Sequence, residues 1–534
     1  MSDIYETYFQ SYLQLFPITA TFLGQPKWDD RFTDVYSKEH RMEYMTLLHS
    51  TLDELEVFEA TGITLEHRAF RYSLEMSLEG YQYPLEYLPL SQMNNIFMTM
   101  TEIIRDYQKI GTHNELKRFR RRMREFRTAA DSQVRCLLEG MQRGIVLPRV
   151  IAEQVQKQLD TLLRDKPYLK RDVPNKLRKG FRRILEKYFT PAIQYTKMFM
   201  DQYYLPMCRE TLGYGSLPGG DAMYDYLARL HTTLEKIDVH EIHGMGIGET
   251  ARILDEKETL AKTLPIQDLM NHKEFIPSSR EEILELYRAE QRNIAQEILP
   301  YYFGTLRPKQ DYDIKAVPEY NEEFQTTAYY MPPSLDKLRR GTFYVNLRNL
   351  KEHPTYKTEV LSLHEGNPGH HFQIAISLDL GIPNYRAYGD WNAYFEGWGL
   401  YTETLGTYKD GYGRLGKYNY ELMRSIRLIV DTGLHQMNWS VDKCRDLFRT
   451  CTDLVESEID AEIYRYIAMP AQALSYKIGE LHILRSRAQY FKIHGEGKEQ
   501  YQQFHRTIIE AGPLPLWLLD AGLLRGVVTE RTVG

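Results

Sequence analysis

Two imidazoles and a carboxylate lie close together in the run Leu363-His364-Glu365-Gly366-Asn367-Pro368-Gly369-His370-His371-Phe372-Gln373. These are donors that Zn²⁺ favours. Zinc hydrolysis needs three protein ligands with a position left open, and a carboxylate to take the proton of the attacking water. The run reads as an HExxH motif, in which two histidines one helical turn apart bind the ion and the Glu is the base, but with two extra residues inserted. On a regular helix His364 and His370 are about 240° apart and face away from each other. His364 and His371 share a face but stand about 10.5 Å apart along the axis, too far for one ion with bonds of about 2 Å. Pro368 lacks an N–H and clashes with the carbonyl four residues back, and Gly369 permits unusual backbone. A two-residue bulge there would return His370 to the place of the second HExxH histidine, with His371 as the alternative ligand. Otherwise Pro-Gly simply ends one helix, and His370 begins another as an ordinary polar residue.

A third ligand is available downstream in Phe395-Glu396-Gly397-Trp398-Gly399-Leu400-Tyr401-Thr402-Glu403. Glu396 and Glu403 are seven apart, on one helix face two turns from each other, so one ion cannot reach both. Glu396 is the expected ligand, with Gly397 and Gly399 small enough for close helix approach. Glu403 is expected to accept a proton from a ligand histidine and fix its tautomer. A solvated pair of carboxylates is the competing reading, and the aromatic residues Tyr394, Phe395 and Trp398 weigh against it.

Taken with Glu396-Gly397-Trp398, the His364-Glu365-x-x-Pro368-Gly369-His370-His371 pattern resembles the domain-of-unknown-function family 885, related to the gluzincin zinc peptidases. Further matches are His231-Thr232-Thr233, Glu241-Ile242-His243 through Glu249-x-x-Arg252, Arg427 through His435, and Gln472 through Gly479. The resemblance is good over roughly residues 215 to 525 and looser before that. It implies a mostly helical, zinc-peptidase-like fold with a deep cleft and a zinc site at His364, His370 and Glu396. The chain has Ala471 where the family usually has Gly, and Gly399 where it usually has Ala.

Helix phase places Leu474, Ile478 and Leu481 on one face, with Gln472, Tyr476 and Gly479 opposite. Tyr476 is therefore read, on the resemblance, as a phenol that hydrogen-bonds a developing oxyanion; the alternative is one more buried hydroxyl. Gln472 and Lys477 of the same segment join the residues expected to steady the site or bind substrate. Arg424, Arg427, Asp431, His435 and Asn438 also share a face. They read either as a solvated stripe with an i,i+4 Arg427–Asp431 pair, or as a cleft wall where Arg427 and His435 bind a substrate carboxylate or carbonyl.

The elements carrying these residues are mostly helices, with apolar residues three and four apart and charges between them. One region is β-leaning: Ala328 to Pro333 and Gly341 to Leu347, joined by a turn-prone stretch around Asp336, predict a small antiparallel hairpin just before the His364 helix. An exposed strand edge there would suit an extended peptide. Five arginines between Lys117 and Arg127 invite a nucleic-acid reading. Yet Phe119, Met123 and Phe126 form an apolar stripe that leaves the arginines as a solvated face, and the run from Lys176 to Lys187 is built alike around Phe181 and Ile184.

The 534 residues, 43% hydrophobic and 26% charged, are ordinary globular composition. We read them as a single helical catalytic body with an N-terminal lobe over 1–215 and a metal-bearing lobe over 216–534. A net charge of −6 argues against a nucleic-acid partner, and the absence of a long uncharged apolar run argues against a spanning helix. No C-x-x-C pair occurs among Cys136, Cys208, Cys444 and Cys451, and Met1 to Glu6 lacks a signal-peptide pattern, so a cytoplasmic protein is expected. The function expected is Zn²⁺-dependent hydrolysis of peptide or small amide bonds. The alternatives are a biosynthetic amide hydrolase or cyclase, and a non-catalytic helical scaffold with a structural or empty metal site.

Overall fold

The computed structural model describes residues 2–60, 62–265, 272–319, 322, 326–335 and 338–519. Two compact units divide them. One runs to Met223 and takes in short pieces at Ser334–Leu338 and Ile467–Met469. The other, which holds every candidate site residue, starts at Tyr224.

The first unit is helical, and its longest helix, His113–Gln142, shows how the basic stretch is used. A Thr112–Glu115 capping box starts it, satisfying two of the N–H groups that a helix start leaves unpaired. Phe119, Met123 and Phe126 are fully buried, with Phe119 stacked on Phe181 at 5.6 Å and Phe126 against Phe189 at 5.1 Å. The solvated-face reading fails at Arg122, which is 0% exposed. Its guanidinium donates to the carbonyls of Arg31 and Trp28, to Gln108 and to Thr21. A fork of five donors can be buried when the chain supplies acceptors in its plane. Arg121 pairs with Asp30 at 2.5 Å, and Arg118 donates to the carbonyl of Lys27 at 3.0 Å.

In the second unit the β-leaning region forms a three-stranded mixed sheet in the order β1-β3-β2. Strands β2 (Ala328–Met331) and β3 (Thr342–Val345) are antiparallel, Ala328 opposite Val345 and Met331 opposite Thr342. The stretch around Asp336 that joins them lies outside the described residues. The hairpin expectation missed β1 (Asp313–Ala316), which pairs parallel with β3. Asp-Ile-Lys-Ala carries a single buried apolar side chain, Ile314, so its local pattern is silent. Its strand character comes from a partner about thirty residues away.

Seven helices frame the site: α1 (Val239–Ala261), α2 (Thr358–Glu365), α3 (His370–Asp379), α4 (Asn392–Thr402), α5 (Gly411–Gln436), α6 (Glu456–Ala468) and α7 (Leu474–His494). Helices α4 and α7 cross backbone to backbone. A methyl group on Gly397 would run into Gly479, and one on Gly479 into the Ala393 carbonyl and Gly397. Gly479→Ala is therefore expected to destabilise the protein by about 1–3 kcal/mol, the usual cost of overpacking a filled core. An unchanged thermal midpoint would mean that the two helices separate freely.

Candidate metal centre

The Pro-Gly break does more than bulge a helix. Helix α2 ends at Glu365 and α3 begins at His370, with a cis Asn367–Pro368 bond between them. The turn folds back over the end of α2, and a methyl group on Gly369 would collide with the Leu363 and His364 carbonyl oxygens. Only a residue without a Cβ fits that approach. Trp398 Nε1 donates to the Pro368 carbonyl at 2.8 Å, tying the turn to α4. The backbone thus takes the course in which one helix ends and another begins, yet it brings the imidazoles of His364 and His370 edge to face, 4.8 Å between centroids.

Glu396 completes the group. Its Oε2 lies 3.4 Å from Nε2 of His364 and 3.4 Å from Nε2 of His370. Among the described residues this is the one group of three His, Cys, Asp or Glu side chains arranged to hold an ion, its donor atoms all within 4.8 Å of one another. A tetrahedral Zn²⁺ with bonds of about 2.0–2.1 Å places its ligand atoms about 3.3 Å apart, so the two Glu396 separations are compatible with one zinc ion.

Supporting contacts orient the candidate ligands. His364 Nδ1 donates to Glu403 Oε1 at 2.8 Å, leaving Nε2 on the side of Glu396. Gly399 lets the ring lie flat on α4, since a methyl group there would stand 2.8 Å from His364 Cε1. Burial would lower the His364 pKa, but the Glu396 and Glu403 carboxylates outweigh it and hold the imidazole up at about 9. Burial likewise pushes Glu396 up, and its two histidine partners overcome that, keeping it well below the usual carboxylate range. His364 and Glu396 thus stand as an ion pair. Glu403→Gln is expected to weaken Zn²⁺ binding about 10–100-fold, measured by competition with a chromogenic chelator. Unchanged affinity would remove Glu403 from the support of the site.

His371 turns away from the group. Its Nε2 donates to the Gln310 carbonyl at 3.1 Å, and its Nδ1 takes the Tyr330 hydroxyl of β2 at 2.9 Å. Burial pushes its pKa down to about 3, and both nitrogens are engaged with the sheet side of the unit. Glu365 is buried, next in sequence to His364, and its charge helps to raise the His364 pKa.

The family described as "Bacterial protein of unknown function (DUF885)" matches residues 17–523. The chain belongs to the DUF885 family. Among solved structures it is similar to "the putative lipoprotein from Colwellia psychrerythraea", 24% identical, covering 100% of this chain and 99% of the other, with a TM-score of 0.87. It is also similar to "a putative lipoprotein of unknown function from Shewanella oneidensis", 16% identical over 98% and 99% of the two chains, with a TM-score of 0.75. These likenesses are of fold. No curated protein matches the chain.

The DUF885 motifs beyond the histidines are mostly buried scaffold. Tyr476, also buried, has its ring stacked toward His364, 6.4 Å between centroids, and its hydroxyl accepts from Arg465 Nη2 at 3.0 Å. Gln472 accepts from the same nitrogen at 2.9 Å. Lys477 is wholly buried and pairs with Glu421, Glu249 and Glu480 at 2.8, 3.0 and 2.7 Å, which joins α1, α5 and α7.

The solvated-stripe reading of α5 is wrong. Asp431 does not pair with Arg427, because its carboxyl accepts from Tyr224 at 2.6 Å and from the Ala471 N–H at 2.9 Å; burial raises it to about 7. Ala471 has φ of +66°, a left-handed position that suits glycine and costs a residue with a Cβ about 1–2 kcal/mol. The Asp431 bond steadies that turn just before α7. His435 is buried as well, bonding the Tyr466 carbonyl at 3.1 Å and stacking on Tyr224 at 5.1 Å, so it forms no cleft wall. Arg427 binds Glu462 at 3.0 Å. Sequence reasoning overlooked Glu462 and Arg465, since α6 reads as an ordinary amphipathic helix with Ile459, Ile463 and Tyr466 inward.

Proposed function

We propose that this DUF885 protein is a gluzincin-like, zinc-dependent hydrolase of peptide or peptide-like amide bonds. The observation that carries the reading is the His364–His370–Glu396 group, with donor spacings suited to Zn²⁺ and a carboxylate, Glu365, adjoining one ligand. Zn²⁺ held there would supply the Lewis acidity that polarises an amide carbonyl and makes water nucleophilic near neutral pH. Glu365 takes the proton of the attacking water and passes it to the amine released as the C–N bond breaks. One amide and one water thus become a carboxylate and an amine. Tyr476, its lone pair engaged by Arg465, is left to donate toward the carbonyl oxygen as negative charge develops. Side-chain exposures of 3% at His364, 12% at His370 and 20% at Glu396 favour short peptides or small amides that enter a deep cleft.

The test is metal analysis of the purified full chain, followed by digestion of a mixed peptide library read by mass spectrometry. About one zinc per chain is expected, with cleavage lost on chelation and restored by Zn²⁺. A chain that takes up no zinc on titration would sink the hydrolase reading and leave the helical scaffold. Turnover of one small amide with no peptide cleaved would favour the biosynthetic alternative. A cytoplasmic location is proposed with it, supported by four buried, unpaired cysteines, which suit a reducing compartment. No helix of the described residues is long and apolar enough to cross a membrane. Because two solved relatives are described as lipoproteins, cell fractionation is the measurement that decides location.

A further inference from the structure

Tyr476 is flanked by more guanidinium than carboxylate groups. Arg427 and Arg465 flank the phenol, their guanidinium carbons 4.4 Å and 5.7 Å from its ring centroid. Among the described residues a single carboxylate, Glu462, stands within ion-pair distance of either, at 3.0 Å from Arg427 and 3.7 Å from Arg465. Glu462 is further occupied by the Tyr466 hydroxyl. The other acceptors on Arg465 are neutral, Gln472 Oε1 and Tyr476 Oη. Among the described residues Arg427 Nη1 is buried without a hydrogen-bond partner. Within ion-pair distance two guanidiniums thus share one carboxylate, with side-chain exposures of only 3% at Arg427, 14% at Arg465 and 16% at Glu462. A buried charge without its counterion is costly, and an orphaned guanidinium N–H adds to the cost. A site of this kind is built for an anion that arrives.

The position identifies the anion. With the Tyr476 ring 6.4 Å from that of His364, both guanidiniums lie within about 12 Å of a metal ligand. That is the reach of one amino-acid residue, about 3.8 Å between successive α-carbons, with an arginine contact at one end and the reacting carbonyl at the other. Arginine forks match carboxylates in two parallel hydrogen bonds.

We infer that Arg465 and Arg427 bind the free α-carboxylate of the substrate's C-terminal residue, so that the enzyme removes single residues from the C-termini of short peptides. This rests on the hydrolase reading above and narrows it to one substrate class. It also gives Arg465 a double part: it donates to the substrate's carboxylate and holds the Tyr476 hydroxyl in its donating orientation.

The test uses the zinc-loaded full chain and two libraries of N-acetyl tetrapeptides of mixed sequence, one as free acids and one as C-terminal amides. Cleavage of the last peptide bond is expected to be at least about 100-fold faster for the acids, since a site built to bond a charged group rejects the analogue that lacks it. Arg465→Met should bring the acid-to-amide ratio toward one. Loss of Tyr476 orientation slows both libraries alike and cancels in that ratio. The ratio in the unaltered protein needs no variant to fold. In parallel, zinc-loaded Glu365→Gln protein is offered both libraries, and retained peptides are identified after ultrafiltration. Equal cleavage of acids and amides, or cleavage only at internal bonds, overturns the inference and leaves the hydrolase reading standing. Selective retention of acids, lost in Arg465→Met, with no cleavage by the unaltered protein, upholds the carboxylate site and overturns the hydrolase reading. Neither cleavage nor selective retention overturns the inference outright.

Discussion

Glu365→Gln protein is expected to keep its zinc and lose about two to four orders of magnitude in turnover, the usual worth of a positioned general base. The amide is nearly isosteric with the carboxylate but cannot accept the proton. Glu365 lies at the end of α2, its side chain buried, and it is absent from the three-donor group. Metal content and turnover should therefore separate cleanly. The measurements are zinc per chain and the rate on a peptide that the unaltered protein cleaves. If turnover survives intact, Glu365 is not the base. If zinc and turnover vanish together, Glu365 acts through the fold or as a ligand. A structural zinc site predicts neither pattern, because removing an uninvolved carboxylate would leave a protein that was never active.

The second large effect separates two adjacent histidines. His370→Ala removes one of three donors 3.4 Å from or beside Glu396 Oε2 and should abolish stoichiometric zinc binding and turnover together. His371→Ala should leave zinc bound. Its cost falls on stability, because the ring bonds both Gln310 and Tyr330 and packs on Tyr312 at 4.8 Å. Deleting a buried ring with two hydrogen bonds costs about 3–5 kcal/mol. Zinc titration and thermal melting of the two variants should give opposite patterns. If His371→Ala lost zinc and His370→Ala kept it, the ligand assignment would be reversed and the turn around Pro368 would have another purpose.

Much of this was legible in the sequence, and in a particular way. The choice of donors came from residue type: two imidazoles and a downstream helix carboxylate, with Glu403 two turns beyond Glu396 to hold a ring nitrogen. Helical periodicity gave the mainly helical class, and β-rich runs gave two of the three strands. Residues 313–316 gave no sign of β1, since these four carry little preference of their own and gain their ladder from β3.

What periodicity could not give was the partner of each polar residue on α5. Arg427, Asp431 and His435 do share a face, as the 3.6-residue period requires. That face meets Tyr224, Glu462 and Tyr466 instead of water, a fact held by chain segments tens to hundreds of residues away. Arg122 misled for the same reason, since its acceptors come from residues 21 to 31 and Gln108.

By itself the sequence determined which side chains could form a site here, and that a straight helix through Gly369 could not form it. The tertiary structure decided how they meet. The turn after Glu365 reverses over the carbonyls of α2, pinned by Trp398 and possible only without a side chain at Gly369. Helix α4 then brings up Glu396, and α6, whose sequence marks it only as an amphipathic helix, brings up Arg465. Local sequence sets the torsions available to a residue, but the neighbours of a buried polar group are set by packing between distant segments, and it is those neighbours that determine its charge, its orientation and its use.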